Sequence, residues 1–136
     1  HGLVGLTLGV LLFERPWAGL LGGLFPDADF LFPDALAWPF VHRGLTHGLL
    51  VMGVVGGVAA ARERHTGGAV FAAYLSHLAI DLTVPPGVPL VWSVTDVQYL
   101  LDPGIGGHAL PVTAVLWVSC LGVLLFGTDR VSASGS

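Results

Sequence analysis

Long apolar runs, each closed by charge, proline or glycine, limit what this chain can fold into. Five runs can be traced, over residues 2–13, 16–25, 44–61, 69–84 and 109–126. Between them stand Glu14-Arg15-Pro16, Pro26-Asp27-Ala28-Asp29, Arg62-Glu63-Arg64 and Pro85-Pro86. Only 10% of the 136 residues are charged and none is lysine, where a soluble domain carries about 25% charged residues. So few charges cannot build a water-facing surface, so lipid is the expected solvent for much of it. The pattern predicts an all-α fold: a polytopic membrane helix bundle of about four to five short helices with an interfacial loop. That loop is expected at residues 30–41, because Phe30, Phe32, Trp38 and Phe40 are rings that favour the membrane–water boundary. A second mixed stretch, 87–107, is expected as a loop with a short interfacial helix.

A bilayer core takes about 20 apolar residues. The third and fifth runs approach this, and the first two fall short. Tilting, or a longer natural N-terminus, would make up the difference; the chain opens on His1 rather than Met. The 20 glycines allow helices to approach closely in a membrane. Residues 1–131 are expected to form one integral membrane domain, and residues 132–136 a flexible end or cloning scar. Cys120 is the sole cysteine, so no internal disulfide framework can form. A net charge of -4 with five scattered arginines gives no basic stripe, which argues against nucleic-acid binding.

The charges sort by topology. If the first run passes from outside to inside, Arg15, Arg62, Arg64 and Arg130 all fall inside, as the positive-inside bias expects. Arg43 is the exception. It shares the outer side with His1, Asp27, Asp29, His42, His47, His77 and Asp81. Within the fourth run His77 and Asp81 are four residues apart and so share a helix face. A charged aspartate deep in an apolar run costs roughly 2.5–3.5 kcal/mol on insertion scales, and a divalent cation compensates it directly.

Imidazole with carboxylate suits zinc, manganese or iron. Four ligands suffice for one zinc, and seven candidates stand here. The surplus is enough for one or two divalent ions, zinc first, with Asp27 or Asp29 as the bridging carboxylate. Arg43 is always charged and its forked donors suit a phosphate oxygen. His65 is expected to be solvated in a cytoplasmic loop. His108 lies on the outer side among glycines with no patterned partner, and is not counted as a ligand. Asp34, Asp96 and Asp102 read as loop residues, and Trp92 and Tyr99 as interface anchors.

The spaced motifs, in order, are His1, then Gly22–Asp29, then His42–His47, then Leu75–Thr83 with Gly87 following. Together they resemble the YdjM-like family of inner-membrane-associated proteins, described as metal-dependent hydrolases. The resemblance covers about residues 1–92. It implies that His1, Asp27, Asp29, His42, His47, His77 and Asp81 hold metal, with Arg43 and Thr46 beside them on the substrate side. The expected function is therefore a metal-dependent hydrolase of the cytoplasmic (inner) membrane, multi-pass, with its site facing outside. Metal-activated water would act on a phosphoester or lipid-linked substrate, with Asp27, Asp29 and Arg43 catalytic. Two alternatives stand beside it: cation or proton transport through the His/Asp cluster, and a non-catalytic protein with a structural metal.

Overall fold

The computed structural model describes residues 1–33 and 35–126. Asp34, Arg130 and the 132–136 tail lie outside the described residues. Five α-helices carry the fold: α1 (Gly2–Phe13), α2 (Pro16–Leu24), α3 (Leu49–Arg62), α4 (Arg64–Asp81) and α5 (Leu110–Phe126). Two 3₁₀ turns, Phe25–Leu31 and Leu45–His47, sit between α2 and α3. Among the described residues the chain is all-helical apart from one antiparallel bridge between Val88 and Tyr99.

Pro16 starts α2 where a missing N–H costs nothing. Pro26 ends it, because it cannot donate to the carbonyl four residues back. The chain tightens into the 3₁₀ turn instead, which carries Asp27 and Asp29. The expected third helix started at residue 44. In the structure Leu45–His47 form a separate 3₁₀ turn, Gly48 is extended, and α3 begins at Leu49. The break lets Thr46 and His47 be buried beneath the helix rather than wound into it.

The fourth helix starts five residues earlier than the run at 69–84 suggested, and His65 lies in its exposed first turn rather than in a loop. The reason is Glu63. Its carboxylate accepts the His65 and Thr66 backbone N–H groups (2.8 and 2.7 Å) and the Thr66 hydroxyl, and so caps the helix directly after α3 ends. Arg15 joins it from the α1–α2 corner at 3.0 Å. The arginine-bearing corners thus share one end of the bundle.

Small residues set the packing at the centre. A Cβ on Gly19 would collide with the Gly5 carbonyl and lie 2.8 Å from the Gly9 Cα. One on Gly22 would lie 2.8 Å from the Val70 backbone. Glycine therefore permits the close α1–α2 and α2–α4 contacts. α5 packs mainly on α1 and leaves Leu110, Val115, Trp117, Val118, Leu121, Leu125 and Phe126 exposed. The buried set is as polar as it is apolar: Asp29, Arg43, Thr46, His47, His77 and Asp81 lie inside. Such a distribution suits a molecule whose surround is apolar.

No described helix is long and apolar enough to cross a membrane. At 1.5 Å per residue, α3 with 14 residues and α5 with 17 reach roughly 21 and 26 Å, short of a core of about 30 Å. α4 has 18 residues but carries Arg64, His65, His77 and Asp81. The 87–107 stretch contains no helix. It is held instead by the Val88–Tyr99 pair and by the Leu101 N–H on the Leu82 carbonyl (2.7 Å).

The Glu63 cap has a pH signature. Hydrogen bonds from the Thr66 side chain outweigh desolvation and, with the two backbone donors and Arg15, hold the carboxyl down to about 2. A depressed folded-state pKa stabilises fully above the unfolded value near 4.5 and is lost as pH falls towards 2. Glu63→Ala should lower the melting temperature at neutral pH, and the gap from the parent should close in thermal melts taken from pH 5 down to pH 2.

Candidate metal centre

The opposite end of the bundle gathers five chain segments. His1 caps the start of α1. Asp27 and Asp29 sit on the first 3₁₀ turn, and His42 and Arg43 on the loop after it. Thr46 and His47 form the second turn, and His77 and Asp81 lie on the last turns of α4. All seven predicted ligands are brought together with Arg43 and Thr46. Six of the seven fall into two triads, His1/His77/Asp81 and Asp27/His42/His47, each with its ligand atoms within 4.8 Å of one another, and Asp29 stands outside both.

Asp81 joins the two. Its Oδ1 lies 3.3 Å from the His1 Nε2. Its Oδ2 lies 3.3 Å from the His47 Nε2, 3.6 Å from the His77 Nε2 and 3.4 Å from the Arg43 Nε. The His77 Nε2 is also 3.6 Å from the Asp27 Oδ1. The sequence pointed to Asp27 or Asp29 as the shared carboxylate, whereas the geometry puts Asp81 between the triads.

Asp29 is saturated by other partners. Its Oδ1 accepts from the His42 Nδ1 at 3.0 Å. Its Oδ2 accepts from the Arg43 N–H and the Thr46 hydroxyl, both at 2.9 Å, with the His47 Nδ1 at 3.2 Å. Burial pushes its pKa up, but the bonds from His47, His42 and Thr46 outweigh burial and hold it down to about 2. A carboxylate that only accepts requires protonated Nδ1 atoms on both histidines, so each Nε2 is left to face the site. His77 is fixed the same way, with its Nδ1 donating to the Gly23 carbonyl at 2.8 Å. The Tyr74 hydroxyl donates to the Thr46 carbonyl beneath the turn.

Arg43 is buried and holds a left-handed φ of 59°, a conformation that costs roughly 1–2 kcal/mol for a residue with a Cβ. Its N–H on Asp29 and its Nη1 on the Val84 and Pro85 carbonyls (2.8 and 3.2 Å) hold it there. The guanidinium thus ties Asp81 to the loop after α4.

Several buried polar atoms here lack hydrogen bonds: His1 Nδ1, His47 Nε2, His77 Nε2 and Asp81 Oδ1. The Nε2 atoms of His47 and His77 lie 3.3 and 3.6 Å from the Asp81 Oδ2, and the Asp81 Oδ1 lies 3.3 and 3.2 Å from the Nε2 atoms of His1 and His108, in each case without a hydrogen bond. Buried polar groups are nearly always paired, so the orphaned Nε2 atoms of His47 and His77 beside a carboxylate with an orphaned oxygen of its own are the arrangement a cation fits. Burial opposes the charged form of His47, but Asp29 and Asp81 outweigh it and raise its pKa, a further sign that positive charge is favoured there.

His108 is the residue the sequence missed. Its Nε2 lies 3.2 Å from the Asp81 Oδ1. The available signal was the Gly106-Gly107 pair before it, which allows close approach but names no partner. His65 lies at the far end of α4. Asp96 and Asp102 are exposed in the loop, where Asp102 accepts the Gly104 N–H at 2.9 Å.

Asp29→Asn removes the charge that fixes two imidazoles. Zinc affinity, read by chelator competition, should fall about 10–100-fold; an unchanged affinity would deny Asp29 its orienting role.

A family model described as YdjM inner membrane protein matches residues 1–133. No curated protein and no solved structure matches the chain.

Proposed function

The chain belongs to the YdjM inner membrane protein family, and on that premise we propose that it is a membrane-embedded metal-dependent hydrolase. The observation that carries the reading is the pair of His/Asp triads joined by Asp81, with unpaired Nε2 atoms facing it. The donor set of imidazole and carboxylate suits zinc first, with manganese or iron as substitutes. Bound there, one or two ions would act as Lewis acid and draw a nucleophile from water near neutral pH.

The protein's own residues divide the remaining work. Asp81 spans the two triads, and His1, His42, His47, His77 and Asp27 complete them. Asp29 and Thr46 hold the imidazoles in register, and Arg43 positions Asp81. Asp27 is the most exposed of the three carboxylates, with 30% of its side chain open against 2% for Asp81. It is therefore the group to accept a proton from the attacking water.

Two cavities flank the centre. One of about 280 Å³ is lined by His1, His108, Val4, Ile80, Leu116 and Trp117. Another of about 260 Å³ lies beside Asp29 and His42 among Phe30, Phe32, Leu36 and Phe40. Apolar walls beside a polar centre suit an ester, foremost a phosphoester, attached to a lipid chain. The bundle would sit in the inner membrane as a multi-pass protein, its exposed apolar flanks in lipid and this end at the outer interface. Transport is less favoured, since transport sites sit near the midplane on broken helices and this cluster gathers at helix ends.

The purified protein with zinc or manganese should turn over a member of a panel of phosphoesters, esters and amides, and chelation should stop it. Asp27→Ala should lower the rate about 10²–10⁴-fold, the range of a general base. Turnover that ignores metal, or survives Asp27→Ala, sinks the enzyme reading.

A further inference from the structure

One imidazole at the centre has no role in the arrangement above. His108 stands just before α5, and its Nε2 lies 3.0 Å from the His1 Nε2 and 3.2 Å from the Asp81 Oδ1. The His1 Nε2 lies 3.3 Å from that same oxygen. Three potential ligand atoms are thus mutually 3.0–3.3 Å apart. With metal–ligand bonds of about 2.0–2.2 Å, neighbours in a tetrahedral or octahedral shell stand about 2.8–3.6 Å apart. A hydrogen bond explains the contact between the two histidines but not the third atom. The Asp81 Oδ1 is buried, faced by two Nε2 atoms, and accepts a hydrogen bond from neither.

The approach is built by the chain on either side. The Thr83 hydroxyl donates to the Ile80 carbonyl at 2.6 Å and accepts the Gly107 N–H at 2.7 Å. A Cβ on Gly107 would lie 2.7 Å from the Ile80 Cγ2 and 2.8 Å from the Thr83 Oγ1. Glycine at 107 is what lets the backbone lie on the end of α4 with the next side chain over Asp81. His108 keeps 46% of its side chain exposed while Asp81 is 2% exposed, so it covers the centre from the open side.

We infer that His108 is a ligand to the ion held by His1 and Asp81, and that this bond fastens the start of α5 to the end of α4. The inference rests on the metal reading above. It gives α5, which packs mainly on α1, a second anchor that depends on the ion.

The test is ion binding to the purified protein in detergent, with zinc for affinity and cobalt for spectroscopy. His108→Ala should weaken one ion about tenfold or more and leave the other near the parent value. His108→Cys should restore the affinity and add a thiolate-to-cobalt charge-transfer band. The parent, whose cysteine is the distant Cys120, should lack that band. Circular dichroism confirms that each variant is folded. Unchanged affinities in folded His108→Ala, or no band in folded His108→Cys, overturn the assignment. If His47→Ala loses ion while His108→Ala does not, the metal reading stands and His108 alone is rejected. A parent that binds no ion ends both.

Discussion

A buried carboxylate at the last turn of α4 sets the terms for everything around it. Asp81 is almost fully covered, and side chains from five places in the chain, His1, Arg43, His47, His77 and His108, meet where it lies. An unpaired charge in such a place is not tolerated, so the surrounding chain is organised to supply positive charge. Arg43 gives one part of it at 3.4 Å, and it is held in a left-handed conformation to do so. Four imidazole Nε2 atoms face the same carboxylate. Asp29 works one layer out, fixing which nitrogens face inward. The helices behind serve this end: glycines let α1, α2 and α4 approach closely enough that residues from each can meet.

The same constraint explains what could be read from the sequence. A chain with so few charges cannot scatter them, and sorting the apolar runs by their arginine-bearing ends leaves the histidines and aspartates on one side. Charge alone thus marks seven residues that meet in space. The helices were legible where proline or charge ended a run, as at Pro16, Pro26 and Arg62. They were less legible where capping chemistry decided. Glu63 is an unusual cap, and it starts α4 at Arg64, ahead of the apolar run that begins at residue 69.

Roles were harder to read than membership. Asp27, Asp29 and Asp81 are the same chemical group, and spacing cannot tell which accepts three hydrogen bonds beside an ion pair and which lies between two triads. That depends on side-chain direction at the 3₁₀ turn. Arg43 looked like a free phosphate ligand because its commitment to the Val84 and Pro85 carbonyls spans the bundle. His108 was invisible because the loop that returns it is anchored by the Leu82 carbonyl and the Thr83 hydroxyl, each taking a backbone N–H from far along the chain, and nothing in the spacing names those partners. The membrane setting comes from composition and from the family, since no described helix is long and apolar enough to cross a bilayer.

On the proposed reading, Asp81 stands between two cation positions. Anomalous diffraction from crystals grown with zinc, recorded on both sides of the zinc edge, tests it most directly. Two peaks about 3.5–4 Å apart are expected, one within His1, His77 and Asp81 and the other within Asp27, His42 and His47, with an Asp81 oxygen on each. A single peak bound by Asp29, or density with no anomalous signal at this end of the bundle, would contradict it.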